Sequence, residues 1–219
     1  MEDIKELIKE LIKSFKEEEF FDTVNLHIHT NFSDGKADFK EIVKEAKSLG
    51  YKKIAICDHN TIEGHKHYSD DILLKGVEFD CWCGYVFMHL LGYGIDINNE
   101  ELNKFMAKTK KGTELDIIRI FSTRNIKKLI NAIHNAGGIA VLAHPACCWA
   151  LNLDKFVKKL ISYGLDGIET YYPYRRHRKI IRFHTSSDVK RIADKYNLIK
   201  TGGTDCHKAT LKEDKENLG

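Results

Sequence analysis

The chain has 219 residues and a net charge of +3, which predicts a single domain with a sizeable core and gives no support to an extended nucleic-acid-binding groove. The first residues, Met1-Glu2-Asp3, are acidic, and no apolar run is as long as a membrane span, so neither a signal peptide nor a membrane anchor is expected. Six cysteines in such a chain predict buried, reduced thiols and a cytoplasmic location.

Helical and strand-like stretches alternate along the chain. An amphipathic repeat predicts a helix over residues 2–19 that covers one end of the fold, with docking to a partner as the minor alternative. Apolar runs predict seven strands, at residues 23–30, 53–60, 73–80, 85–93, 139–145, 165–171 and 198–207. Further helices are predicted at residues 38–49, 99–110, 113–136, 153–163 and 186–196, followed by a charged, frayed tail at 208–219. This alternation predicts an α/β fold with a parallel sheet.

Two histidines share one face of the first predicted strand. Because side chains alternate along a strand, His27 and His29 would project the same way, with about 6.5–7 Å between them. That separation suits two ligands of one metal ion, and Asp34 follows in the next turn. A His-x-His pair alone is more often part of an ordinary sheet face. The assignment of a metal site therefore depends on whether other candidate ligands occur in the chain.

Chemically similar residues stand at or near the ends of the other predicted strands. In parallel α/β folds the functional site lies at the carboxyl ends of the strands. Histidines together with carboxylates are typical ligands of zinc, manganese or iron. The candidate metal ligands are His27, His29, Asp34, His59, Glu78, His89, His144, Asp205 and His207. This set is too large for one ion and suits two or three ions that share a bridging carboxylate.

The motifs around these residues resemble those of the PHP (polymerase and histidinol phosphatase) family. They match in order and strand context across residues 23–207. The motifs are His27-Ile28-His29-Thr30 with Ser33-Asp34-Gly35, Cys57-Asp58-His59-Asn60, Gly76-Val77-Glu78, Ala143-His144-Pro145, Gly167-Ile168-Glu169 and Gly202-Gly203-Thr204-Asp205-Cys206-His207. The resemblance implies a distorted seven-stranded β/α barrel, with the metal site at the carboxyl ends of its strands, and a metal-dependent phosphoesterase activity.

The resemblance also implies how the ligands are shared among the ions. One ion would be held by His27, His29, Glu78 and Asp205. A second would be held by Asp34, His59 and His207, and a third by Glu78, His89 and His144, with Glu78 as the bridge. The spacing from Glu78 to His89, with Tyr93 just beyond, resembles the branch that removes phosphate from nucleotides.

Three departures from that branch leave the size and selectivity of the substrate open. The stretch between His89 and His144 is too short for a full inserted domain. Tyr172 stands where a histidine is common after the sixth strand, and the segment after His207 is abbreviated.

The expected reaction is hydrolysis of a small phosphomonoester, nucleotide-like or histidinol phosphate-like. A hydroxide that bridges two or three divalent ions (Mn, Zn or Fe) would be the nucleophile. Asp58 and His177 are the candidate proton donors, although Asp58 is also placed to orient a ligand histidine, and Glu169 has the same ambiguity. Arg175 and Arg176 follow the sixth strand, and their guanidinium groups suit a substrate phosphate.

Two other functions stay open at this stage. A nuclease that trims short oligonucleotides would use a basic, aromatic groove, for which Tyr171, Tyr172 and Tyr174 give a hint. A non-catalytic, metal-stabilised module would dock a protein partner through the N-terminal helix, but the intact ligand set argues against it.

Overall fold

The structure is a computed structural model and describes residues 2–174 and 183–216. Arg175 and Arg176, the predicted substrate-binding residues, lie outside the described residues, as does His177, one of the two candidate proton donors. The other predicted site residues are all described.

Seven strands form one sheet in the order of the chain. They are β1 (Val24–Ile28), β2 (Lys53–Ile56), β3 (Leu73–Cys83), β4 (Val86–Tyr93), β5 (Ile139–Leu142), β6 (Gly167–Tyr171) and β7 (Ile199–Gly202). Each corresponds to a predicted strand, and the α/β class is confirmed. After β7 the chain returns to β1, where the His29 amide donates a hydrogen bond to the Cys206 carbonyl at 2.8 Å.

The prediction of a wholly parallel sheet was wrong at β4. This strand runs antiparallel to both β3 and β5, while the other neighbouring strands are parallel. The physical reason is the connection, because only Gly84 and Tyr85 separate β3 from β4. A two-residue turn can join only antiparallel strands, and Gly84 adopts a positive φ of 67° within it.

Helices fill the connections between the strands. They are α1 (Glu2–Lys13), α2 (Phe39–Ser48), α3 (Glu63–His67), α4 (Glu100–Asn103), α5 (Lys111–Glu114), α6 (Asp116–Arg119), α7 (Ile126–Asn135), α8 (Leu153–Ile161), α9 (Ser186–Lys195) and α10 (Leu211–Glu216), with 3-10 turns at Glu17–Glu19 and Pro145–Cys147. The predicted helix 113–136 is interrupted, because the Asn125 side chain accepts a hydrogen bond from the Lys128 amide and caps α7. None of the helices in the described part of the chain is long and apolar enough to cross a membrane.

Helix α1 covers the end of the sheet that lies opposite the predicted site, as expected from its amphipathic pattern. Ile12 is buried against the core, and Lys5 forms an ion pair with Asp166, which precedes β6. Helix α10 differs from the frayed tail that was expected there, since Leu211 is fully buried and its amide donates a hydrogen bond to Glu45. The six cysteines are thiols and all are buried, which agrees with the prediction.

Candidate metal centre

The predicted ligands meet at the carboxyl edge of the parallel strands. His27 lies on β1, His59 follows β2, and His144 follows β5. Because parallel strands end at a common edge, these side chains enter one cleft. Glu78 and His89 lie within β3 and β4, and β3 continues to Cys83, beyond the predicted strand end.

All nine predicted ligands belong to groups whose donor atoms lie within 4.8 Å of one another. The groups are His27–His29–Glu78–Asp205, His29–Asp34–His59–His207, Glu78–His89–His144 and His59–Asp80–His89. The first and third groups coincide with two predicted ligand sets. The second contains the remaining predicted set and adds His29. The fourth was not predicted.

Glu78 lies at the centre of these groups and is 1% exposed. Its Oε2 atom is 3.2 Å from His27 Nε2, 3.1 Å from His29 Nε2 and 3.3 Å from His59 Nε2. Its Oε1 atom is 3.1 Å from His89 Nδ1 and 3.2 Å from His144 Nε2. The two oxygens therefore face separate sets of histidines, which is the arrangement of a bridging carboxylate.

Charges within the cleft stabilise one another. Burial alone would raise the pKa of Glu78, but the adjacent His27, His59 and His89 hold it well below its usual range. Burial alone would likewise lower the pKa of the histidines. The neighbouring carboxylates instead raise the pKa of His29 to about 10 and that of His89 to about 9. The cleft therefore favours positive charge at these histidines, either as bound protons or as a bound cation.

Several buried side-chain atoms of the cleft lack a hydrogen-bond partner among the described residues. They include Glu78 Oε2, His29 Nδ1, His59 Nδ1 and Asp80 Oδ1, all within the ligand groups. An unsatisfied buried polar atom costs about 1–3 kcal/mol, so such atoms indicate that something else belongs at the site. The donor set of imidazoles and carboxylates fits divalent transition ions.

Glu169 contacts a candidate ligand histidine, His27. Its Oε1 atom is 2.9 Å from His27 Nδ1, and its Oε2 atom accepts a hydrogen bond from the His144 amide at 2.8 Å. A carboxylate on the outer nitrogen of a metal-binding histidine fixes the tautomer and the ring plane. Of the roles that the sequence left open for Glu169, this contact favours that of an orienting residue.

Asp58 occupies a different environment from the one expected. Its carboxylate accepts hydrogen bonds from the Thr30 amide, the Thr30 hydroxyl and the Ser33 hydroxyl, each at 2.7 Å. These contacts fix the turn that presents Asp34 to the cleft. Among the described residues, the Asp58 carboxylate bonds backbone and hydroxyl groups of this turn and none of the candidate ligand histidines, so the expectation that it orients one of them is not supported.

Tyr172 supports Asp205 from the position at which the resemblance implied a histidine. Its hydroxyl donates a hydrogen bond to Asp205 Oδ2 at 2.9 Å. Burial raises the pKa of Tyr172 well above its usual range, so the hydroxyl keeps its proton and acts as a donor. The substitution replaces a titratable ring with a fixed hydrogen-bond donor.

Sequence reasoning missed Asp80 and Arg119. Asp80 Oδ1 is 3.2 Å from His89 Nε2, and Arg119 Nη1 donates to Asp34 Oδ2 at 2.8 Å. Asp80 could have been found, because it stands two residues after Glu78 and so shares its face of β3. Arg119 had no comparable signal, since it lies on a four-residue helix in the connection between β4 and β5.

The backbone is strained at three positions of the cleft. Asn60, His144 and Asp205 have φ angles of 55°, 27° and 52°. Residues with side chains rarely adopt this region, and such strain persists where the surrounding contacts enforce it, commonly at functional sites.

Curated relatives carry names that refer to phosphoester cleavage. A phosphoribosyl 1,2-cyclic phosphate 1,2-diphosphodiesterase of Eggerthella lenta is 22% identical over 261 aligned positions, covering 84% of this chain and 93% of the relative. A 5′-3′ exoribonuclease of Haemophilus influenzae is 25% identical over 217 positions, covering 66% of this chain and 77% of the relative.

Solved structures share the fold. A candidate metal-dependent phosphoesterase from Bifidobacterium adolescentis matches with a TM-score of 0.68 at 22% identity, covering 84% of this chain and 87% of that chain. An amidohydrolase from Chromobacterium violaceum, solved with sulfate and without metal, matches with a TM-score of 0.64 at 16% identity, covering 90% and 96%. The family model of the PHP domain matches residues 25–197. The chain therefore belongs to the PHP domain family.

Proposed function

We propose that this protein hydrolyses a small phosphomonoester at a centre of two to three divalent transition ions (Mn, Zn or Fe). The observation that carries the proposal is the position of Glu78, whose two oxygens face separate groups of buried histidines. We also propose that residues 1–219 form one domain whose seven strands make the distorted barrel of the family. The hydrogen bonds between Cys206 and the end of β1 support this arrangement.

Divalent ions bound here would supply an activated water near neutral pH and would neutralise charge on the phosphate oxygens. The residues of the chain prepare for that chemistry. Glu169 holds the outer nitrogen of His27, so that Nε2 faces the cleft, and Tyr172 fixes Asp205. Burial of His27, His29 and Glu78 excludes bulk water, which strengthens every electrostatic interaction in the cleft.

The oxygen of the leaving group needs a proton. Of the two proton donors predicted from the sequence, Asp58 lies in the described part of the chain and His177 does not. Asp58 is engaged by Thr30 and Ser33, so we propose that it positions the turn of Asp34 and does not touch substrate. The assignment of His177 as the acid stays a prediction. So does the assignment of Arg175 and Arg176 to phosphate binding.

A cavity beside the cleft supports a small substrate. Its volume is about 420 Å³, and its wall includes Asn60 and Arg119, which also border the metal centre, together with Lys104, Lys108 and Phe121. Cavities of about 300–1,000 Å³ are typical of small-molecule sites. We propose that the organic part of the phosphoester lies here, with any further negative charge close to the two lysines.

The experiment is a phosphate-release screen with the metal-loaded protein over nucleoside monophosphates, nucleoside bisphosphates and histidinol phosphate. We expect release from one of these compound classes by the wild type and none by the His29→Ala variant. Full metal content without phosphate release from any compound would contradict the monoesterase.

A nuclease is the second candidate, because one observation favours it. The segment beside the cleft contains Lys104, Lys108, Lys110 and Lys111 with Phe105 among them, which combines positive charge with an aromatic platform. The exoribonuclease among the relatives is consistent with this reading. Short oligonucleotides separate the two functions, since a nuclease yields shortened oligomers and a docking module yields no product.

A further inference from the structure

Helix α6 has its burial pattern reversed. Arg119 is its buried residue, with 5% exposure, whereas Ile117 and Ile118 are exposed by 73% and 41%. A surface helix ordinarily buries its apolar side chains and extends its charges into solvent. Arg119 therefore anchors α6 to the fold through a charged group instead of through apolar packing. We call residues 104–125, which contain α5 and α6, the inserted segment.

The guanidinium of Arg119 contacts acidic residues of the metal centre. Nη1 donates to Asp34 Oδ2 at 2.8 Å and to the Thr113 carbonyl at 3.0 Å. Nε lies 3.5 Å from Asp80 Oδ1, and Nη2 contacts Asp116 of the same helix. The other oxygen of Asp34 faces the cleft, 3.2 Å from His207 Nε2. Arg119 thus holds one oxygen of a candidate ligand, Asp34 Oδ2, which also lies 3.7 Å from His59 Nε2, while Oδ1 faces His207.

Asp80 extends the same arrangement to two histidines. Its Oδ1 atom is 3.2 Å from His89 Nε2, and its Oδ2 atom is 3.5 Å from His59 Nδ1. The opposite ring nitrogens, His89 Nδ1 and His59 Nε2, face Glu78. Asp80 therefore lies beside the ring nitrogens of both histidines that face away from Glu78. A carboxylate that orients the histidine ligands of a metal ion occupies the same position. It is fully buried, so its charge needs the counter-charge of Arg119.

We propose that Arg119 is a positioning residue for divalent cations, through which the inserted segment completes two of the three metal positions. The proposal rests on the metal centre of the proposed function. Arg119 acts directly on Asp34 and, through Asp80, on His59 and His89. In the part of the chain that the structure describes, no residue of the position formed by His27, His29, Glu78 and Asp205 has a side-chain hydrogen bond or ion pair with Arg119 or Asp80. Loss of Arg119 should consequently weaken metal binding selectively, by about 10–100-fold at the dependent positions.

The Arg119→Lys variant distinguishes the effect of the guanidinium geometry on metal binding from the effect of its positive charge. Lysine keeps the positive charge but cannot hold two carboxylates with a planar fork. If Arg119 acts by geometry, Arg119→Lys should lose affinity much as Arg119→Ala does. If only charge matters, Arg119→Lys should bind metal like the wild type, and the proposal would be overturned.

The control is the second arginine of the same segment. Arg124 donates to the Phe105 carbonyl and to the Asp80 backbone carbonyl, at 2.8 and 3.1 Å. Among the described residues it forms no hydrogen bond or ion pair with the side chain of a candidate ligand. Arg124→Ala therefore removes a half-buried cation and loosens the segment without releasing Asp34 or the Asp80 carboxylate.

The experiment is a Zn²⁺ titration of the metal-free full chain by calorimetry, with bound metal counted by elemental analysis. We expect two to three ions on the wild type and on Arg124→Ala. On Arg119→Ala and Arg119→Lys we expect one tight ion, with the others weakened. Asp80→Asn should show the same selective loss and serves as the second variant if Arg119→Ala does not fold. Equal weakening at every position, unchanged affinity or tighter binding would overturn the inference, whereas a wild type without bound ions would overturn the proposed function itself.

Discussion

The Nδ1 atom of His27 lies 2.9 Å from Oε1 of Glu169, and this contact determines which nitrogen of His27 enters the metal cleft. The second oxygen of Glu169 accepts a hydrogen bond from the His144 amide, so one carboxylate on β6 links His27 on β1 to the residue that begins the turn after β5. Both carboxylate oxygens of Glu169 accept hydrogen bonds. Replacing either oxygen with a donor group would therefore remove one of these two bonds.

Replacement of Glu169 by glutamine should therefore weaken metal binding. The amide can accept from His27 or from the His144 amide, but it cannot accept from both with its single oxygen. We expect a loss of metal affinity of about 10–100-fold, measured by competition with a chelator. The exposed Glu63→Gln variant, which lies outside the cleft, is the control. Unchanged affinity in Glu169→Gln would contradict an orienting role.

Glu78→Gln should disturb two metal positions at once. Its Oε2 atom faces His27 and His29, and its Oε1 atom faces His89 and His144, so loss of the negative charge affects both sides. His144→Ala is the matched control, because His144 occurs in a single ligand group. Elemental analysis should show a larger loss of bound metal in Glu78→Gln than in His144→Ala. Equal losses would argue against bridging.

The strand ends were predictable from the sequence, and so was the clustering of the histidines and carboxylates that they carry. Apolar runs that end in histidine or a carboxylate locate the carboxyl edge of a sheet, where His59 and His144 indeed lie. The direction of β4 was not predicted, although the pair Gly84-Tyr85 between two apolar runs carries the signal of a hairpin. A period-two reading of β3 from Glu78 would likewise have added Asp80.

Other contacts could not be predicted, because they depend on tertiary structure. Arg119 contacts Asp34, which lies 85 positions earlier in the sequence, and the sequence of α6 gives no indication that Arg119 is its buried residue. The carboxylate of Asp58 could have faced the ligands or the turn, and only the backbone geometry of Thr30 decides between them. Spacing identifies residue types that suit a metal, but it does not show which groups orient them.

Metal-free protein should lose stability as the pH rises from neutral toward 10. The pKa of His29 is raised to about 10 and that of His89 to about 9, above the value of about 6.5 in the unfolded chain. Groups with a raised folded-state pKa stabilise the fold fully below pH 6.5, and this contribution disappears as the pH passes the folded-state value. Thermal unfolding of the metal-free protein should therefore occur at lower temperature at about pH 9.5 than at about pH 6.5.

The affinity for metal should rise over the pH range in which the stability of the metal-free protein falls. Divalent ions displace these protons, so binding should release protons and strengthen with pH over the same range. Calorimetry in buffers of different ionisation enthalpy measures the release. His89→Ala should release fewer protons than the wild type. A metal-free protein that is more stable at the higher pH would contradict the charge arrangement of the cleft.

Asp58→Asn should destabilise the fold without changing the pH profile of turnover. The carboxylate accepts three hydrogen bonds from Thr30 and Ser33, and an amide would place a donor against a donor. We expect a loss of about 1–3 kcal/mol in the free energy of unfolding, measured with urea. The exposed Asp71→Asn is the control. If Asp58 were the acid, the turnover number would fall and the alkaline limb of its pH profile would shift.

Two glycines test how firmly α1 is docked. Gly94 and Gly50 both have positive φ angles, of 69° and 78°, so alanine at either position should cost about 1–2 kcal/mol in backbone strain. At Gly94 an added Cβ would also lie 2.5 Å from Ile8 of α1, whereas at Gly50 it would meet nothing within 4 Å. Urea unfolding should therefore show a larger loss for Gly94→Ala than for Gly50→Ala.

Ile8→Ala identifies the source of that difference. If the clash with α1 causes it, Gly94→Ala should cost less in the Ile8→Ala background than in the wild type, and the double-mutant cycle should show coupling between the two sites. Equal losses for the two glycines, without coupling to Ile8, would mean that α1 leaves this end of the sheet in solution. The apolar side of the helix would then be available to a partner, which is the alternative that the amphipathic sequence left open.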